Sequence, residues 1–120
     1  MVKLVLYFQM QIYNHKEGVN MNKELMDIII EKRKLKHNED DFGIQECWDE
    51  IVVNLSESCE ETIKYLEECS EEYIYYISEV FEDISEQLQR QEFIECLRKL
   101  EKKFPNLNLK KDIDIAEEYI

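Results

Sequence analysis

The sequence has 120 residues, a length that fits a single domain, and its formal net charge at pH 7 is −13. Nucleic-acid phosphates and anionic membrane surfaces repel such an acidic chain, so we expect a basic protein partner and no binding to nucleic acid or to a membrane. Only two glycines and one proline are present. Because sheets with tight turns need these residues, the composition predicts an all-α fold.

The first twenty residues differ from the rest of the chain. Residues 2–13 are rich in strand-forming residues, but a single strand has no partner in a helical chain. The tripeptide Lys16-Glu17-Gly18 can be encoded by a purine-rich stretch that resembles a bacterial ribosome-binding site, and Met21 follows after a short spacer. We therefore expect the native protein to begin at Met21, with residues 1–20 an upstream extension and residues 21–120 a single helical domain.

Apolar residues at three- and four-residue spacing predict five to six helices after Met21. Their predicted ranges are 22–38, 42–55, 59–69, 73–88, 91–104 and, for a short last helix, 112–119. Asn22, Ser58 and Ser70 stand in helix-capping positions, and Pro105 ends the fifth helix. Trp48 falls on the apolar stripe of the second helix, which predicts core packing, with an interface anchor as the alternative.

The first predicted helix has a broad apolar face and a basic end. Its apolar positions are Leu25, Met26, Ile28, Ile29 and Leu35. The basic residues between Glu31 and Lys36 suit the negative end of the helix dipole. Dipole and solubility effects explain this cluster without a nucleic-acid site.

The helix predicted over residues 73–88 has two opposed faces. Its apolar positions are Ile74, Ile77, Val80, Phe81, Ile84 and Leu88. The other face carries the carboxylates of Glu79, Glu82, Asp83 and Glu86, with Tyr75 on the acidic side and Tyr76 near the boundary. Because the apolar face must be buried, the acidic, tyrosine-bearing face is left for another role.

Two parts of the sequence resemble each other at a distance of about thirty residues. Residues 49–57 align with residues 78–86, and residues 61–66 align with residues 92–97 after a small slip. A period of this size is typical of two-helix solenoid repeats. The prediction is a HEAT-like pair of stacked antiparallel helical hairpins, with a compact helical bundle as the alternative.

The sequence contains no recognisable catalytic or metal-binding pattern. The cysteines, Cys47, Cys59, Cys69 and Cys96, form no C-x-x-C pair, and no histidine lies between residues 38 and 120. We expect buried, reduced thiols, which fit the cytoplasm. A glycine-rich phosphate loop and a G-x-S-x-G motif are also missing. We therefore predict no enzymatic activity, no metal and no cofactor.

The distribution of charge points to a partner. From Glu46 to Glu86 there are fourteen acidic residues and one basic residue, Lys64. Confining like charges to one region costs self-repulsion, which a partner with a basic face would offset. Tyrosines of the same region suit the centre of an interface. The predicted partner-binding residues are Glu79, Glu82, Asp83, Glu86, Tyr75 and Tyr76, with Glu60, Glu67 and Glu68 as a secondary patch.

Three stretches carry a resemblance to a known class of proteins. They are ISEVFEDIS (77–85), EFIECLRKLEKKFP (92–105) and DIDIAEEYI (112–120). Through them the chain from residue 47 onward resembles small all-helical immunity proteins of bacterial toxin systems, of the contact-dependent growth-inhibition kind. The resemblance implies a cytoplasmic protein that binds one cognate toxin domain, often a nuclease with a basic cleft, and blocks its active site or substrate path.

Three functional hypotheses follow. The first is a non-enzymatic protein that neutralises a toxin domain through the acidic, tyrosine-bearing face. The second is a HEAT-like adaptor that binds a peptide or helix in a groove, mainly through apolar contacts that salt does not weaken. The third is an acidic DNA mimic, which would bind several unrelated basic proteins rather than one.

Overall fold

Seven α-helices and one 3₁₀ segment form the part of the chain that the computed structural model describes, residues 21–120. Their bounds are α1 Lys23–Leu35, α2 Asp41–Leu55, α3 Cys59–Glu68, α4 Glu71–Ser78, α5 Phe81–Leu88, α6 Gln91–Lys103, the 3₁₀ segment Pro105–Leu107 and α7 Lys110–Glu118. Within residues 21–120 there is no strand, so the predicted all-α class is confirmed. The expectations for residues 1–20 lie outside the described residues.

Local capping chemistry places the helix starts where the sequence predicts them. The side chains of Asn22, Ser58 and Ser70 accept hydrogen bonds from backbone N–H groups three residues on, at 2.9, 3.2 and 3.2 Å. Each bond satisfies a donor that the first turn of a helix leaves unpaired. Pro105 stands just after the end of α6, as predicted.

The prediction of one helix over residues 73–88 is wrong. α4 ends at Ser78 and α5 begins at Phe81, with Glu79 and Val80 in a turn between them. The backbone N–H groups of Glu79 and Val80 donate to carbonyls three residues back instead of four. The break, which brings the number of helices to seven, has no glycine or proline, so tertiary contacts explain it better than local sequence does.

One apolar core receives side chains from all seven helices. Its largest fully buried side chains are Phe81, Phe93, Met26, Ile29, Ile30, Ile51, Leu55, Leu66, Ile74, Ile77, Ile84 and Ile94. The rings of Phe81 and Phe93 meet edge to face with their centroids 6.5 Å apart, an arrangement that aromatic pairs favour. Full burial of a side chain of this size stabilises a fold by about 1.5–3 kcal/mol.

The helices pack in pairs around this core. α2 lies against α5 and α3 lies against α6, while α1 packs on α2 and α4. α7 covers α5 and α6, and the buried hydroxyl of Ser85 on α5 donates to the Ala116 carbonyl on α7 at 2.7 Å. α5 is therefore held between α7 on one side and α2 on another.

The basic end of α1 forms ion pairs with other elements. The pairs are Lys32–Glu50 at 3.4 Å, Arg33–Glu79 at 2.8 Å and Lys34–Glu72 at 2.8 Å. These contacts add a second role to the dipole and solubility effects predicted for the basic cluster, which lies in the last turn of α1. Its charges meet carboxylates on α2, on α4 and in the α4–α5 turn, so they contribute to helix packing.

The Arg33 pair is the centre of a larger cluster, here called the Arg33–Glu79 clamp. Arg33 is 8% exposed, and its Nε and Nη2 atoms donate to the two carboxylate oxygens of Glu79 at 2.9 and 2.8 Å. The indole Nε1 of Trp48 on α2 donates to Glu79 Oε1 at 3.0 Å. The Arg33 guanidinium lies over the Tyr76 ring, 5.2 Å from its centroid. Hydrogen bonding to Glu79 raises the pKa of Arg33 above its ordinary value.

Replacing the clamp carboxylate tests this role. We expect Glu79→Gln to lower the free energy of unfolding by about 2 kcal/mol, because it leaves the buried Arg33 charge uncompensated. Glu86→Gln makes the same change in net charge at an exposed position and should lie within about 0.5 kcal/mol of the wild type. Denaturant unfolding followed by circular dichroism measures both. Equal stability of the two variants would contradict the clamp.

The four cysteines are free and buried, as the sequence predicts for residues on apolar helix faces. Burial raises the pKa of Cys96 to about 11 and that of Cys69 to about 12, from an ordinary value of 9.0. The folded protein therefore keeps both thiols protonated at pH values at which the unfolded chain ionises them. Such thiols are poor nucleophiles near neutral pH.

The raised thiol pKa values predict a loss of stability in alkali. The stability that the two protonated thiols contribute is fully present below pH 9.0, the pKa of a thiol in the unfolded chain. It is lost as the pH rises towards their pKa values in the folded protein. The double variant Cys69→Ala/Cys96→Ala should be less stable at about pH 8 because of its cavities. Between about pH 8 and about pH 11, however, its unfolding midpoint should fall less than that of the wild type. If the unfolding midpoints of the two proteins fall equally with pH, the loss of stability in alkali does not come from Cys69 and Cys96.

Candidate protein-binding groove

A surface groove of about 620 Å³ lies between α2 and α5. Its lining residues are Gln45, Trp48, Asp49, Val52, Val53, Ser56, Glu57, Asp83, Glu86 and Gln87. The longer wall comes from α2 and the residues just after it, and the shorter wall is a single turn of α5. The groove therefore exists only because the fold brings these two helices side by side.

The wall formed by α2 is one continuous stripe. Gln45, Trp48, Val52 and Ser56 mark successive turns, because residues three or four apart lie on the same face of a helix. From Gln45 to Ser56 the chain advances about 16 Å at 1.5 Å per residue. The groove is thus about as long as three turns of α-helix.

Three apolar residues of the lining, all on the α2 wall, are here called its floor. Trp48, Val52 and Val53 are each partly buried and pack against the core. The hydrogen bond from the Trp48 indole to Glu79 fixes the ring from the inner side. The clamp therefore sets the position of the largest side chain in the groove.

The rim of the groove is acidic. It carries four carboxylates, Asp49 and Glu57 on the α2 side and Asp83 and Glu86 on α5. None of the described residues that line it is a lysine or an arginine. The side-chain amide of Gln45 donates to Asp49 at 3.0 Å, along the same wall. Three of these carboxylates, Asp49, Glu57 and Asp83, also interact with other groups of the chain.

Two of the predicted partner-binding residues meet in this groove. Asp83 and Glu86 line it, whereas Glu82 is partly buried on α5 and lies outside the lining. Glu79 does not share their face, because the break between α4 and α5 places it in the clamp. Its side chain is 23% exposed and accepts a hydrogen bond from Trp48, which lines the groove.

The two predicted tyrosines lie near the clamp and outside the lining of the groove. Tyr76 is partly buried beneath Arg33, and Tyr75 is 51% exposed. Their rings meet edge to face with centroids 5.1 Å apart. Tyr75 is therefore the more accessible of the two on the surface of α4.

The predicted secondary patch lies on a different helix. Glu60, Glu67 and Glu68 are exposed on α3, and none of them lines the groove. Glu60 pairs with Arg90 at 3.3 Å. The pKa of Glu60 is lowered, first by a hydrogen bond from its own backbone N–H and then by Arg90. The structure thus separates the secondary patch from Asp83 and Glu86.

Sequence reasoning missed the α2 wall. The charge distribution places Asp49 and Glu57 in the acidic region without assigning them to a surface. The predicted packing of Trp48 against the core is confirmed, but its position in the lining of the groove is not predicted. A signal was available, since Asp49, Val53 and Glu57 recur at four-residue spacing beside the apolar stripe. The α2 wall faces α5 because of tertiary packing, and the spacing of residues along one helix does not reveal that packing.

The described lining of the groove combines apolar, amide, hydroxyl and carboxylate side chains. Within residues 21–120, no three His, Cys, Asp or Glu side chains are grouped to hold a metal ion. The helices described are all too short or too polar to cross a membrane. No known protein family, characterised protein or solved structure matches the chain. An apolar floor with charged edges is an arrangement suited to a protein segment.

The fluorescence of Trp48, the only tryptophan, tests the potential of the groove. We expect the cation Cs⁺ to quench it more strongly than iodide does, after each is normalised to free N-acetyltryptophanamide at equal ionic strength, because the acidic rim concentrates cations. The double variant Asp83→Lys/Glu86→Lys should lose this preference. The matched double variant Glu67→Lys/Glu68→Lys, on α3, should keep it. Preferential quenching by iodide in the wild type would contradict an acidic groove.

Proposed function

We propose that this protein is a non-enzymatic, toxin-neutralising protein that binds one basic toxin domain in the bacterial cytoplasm. The observation that carries the proposal is the groove between α2 and α5, with four carboxylates on its rim and an apolar floor. Opposite charge would steer a basic domain to the groove, and the floor would add affinity on contact. The buried free thiols are in keeping with a reducing compartment.

On this proposal, the protein neutralises the toxin by occupying its basic substrate cleft. Enzymes that act on nucleic acids carry basic clefts, because their substrates are lined with phosphates. An acidic surface seated on such a cleft excludes the substrate without any reaction. This explains why an inhibitor of a nuclease needs no catalytic residue of its own.

Ion pairs within the fold account for part of the acidic excess. Four of the fourteen acidic residues between positions 46 and 86 pair with a Lys or Arg within residues 21–120, namely Glu50, Glu60, Glu72 and Glu79. These pairs hold α1 and the start of α6 to the rest of the fold.

An adaptor function is the second candidate, and the apolar floor favours it. The packing of α2 on α5 and of α3 on α6 also supports two stacked helical hairpins in the HEAT style. An adaptor of this kind would bind a partner mainly through Trp48, Val52 and Val53. Its binding would then resist salt, whereas charge-driven neutralisation would not.

Capture of the partner tests the proposal. The full chain, immobilised and exposed to lysate of its source organism at about 50 mM and about 300 mM salt, should retain a single basic protein, and retention should be weaker at the higher salt. That protein, expressed alone, should stop bacterial growth, and co-expression with this chain should restore it. A captured protein with no effect on growth would contradict neutralisation.

Matched charge reversals locate the binding surface. Asp83→Lys/Glu86→Lys should reduce affinity for the captured protein by at least about tenfold and flatten the salt dependence. Glu67→Lys/Glu68→Lys makes the same change in charge on α3 and should change affinity by less than about twofold. A larger loss from the α3 variant would move the site to the secondary patch. Retention of many unrelated nucleic-acid-binding proteins would favour the DNA mimic.

A further inference from the structure

We draw no further inference here: the strongest candidate, the outer face of α1 around the exposed apolar side chains of Ile28 and Leu35, carries nothing because no feature of residues 21–120 shows what covers it.

Discussion

The two hydrogen bonds between Arg33 and Glu79 are the contact on which the arrangement of α1, α2 and the α4–α5 turn depends. They join α1 to the turn between α4 and α5, and the Trp48 indole bonded to the same carboxylate adds α2. A charge as buried as that of Arg33 is tolerated only with a partner, and removal of one member leaves the other uncompensated. The clamp thus explains why a helix with uninterrupted apolar spacing bends at Glu79. By ending α4 there, it lets α5 take its own course between α7 and α2.

The acidic groove is a consequence of this arrangement. α5 presents Asp83 and Glu86 opposite the stripe of α2 that carries Asp49 and Glu57, and Trp48 belongs to both the clamp and the floor. The basic end of α1 offsets Glu50, Glu72 and Glu79, which reduces the self-repulsion of the acidic region. The same sequence segment therefore contributes some carboxylates to packing and others to a surface.

What the sequence predicted well depends on local chemistry, and what it missed depends on tertiary contacts. The caps at Asn22, Ser58 and Ser70 need only the neighbouring backbone, and spacing located most of the helices. Spacing failed for α1, where Arg33 faces the core while Ile28 and Leu35 are 58% and 86% exposed. It failed again at Glu79, whose partners are forty-six and thirty-one residues away in the chain. The acidic residues of α5 are predicted from the spacing within that helix alone. The opposite wall of the groove, on α2, is therefore missing from the prediction.

Hydrogen–deuterium exchange of the full chain, with and without the protein that it captures, tests the central claim most directly. Exchange reports which backbone segments become protected on binding. The groove predicts slower exchange over residues 45–57 and 83–87, at both walls together, with little change in α7. Protection confined to α3, or to the exposed face of α4 around Tyr75, would contradict the groove as the binding surface.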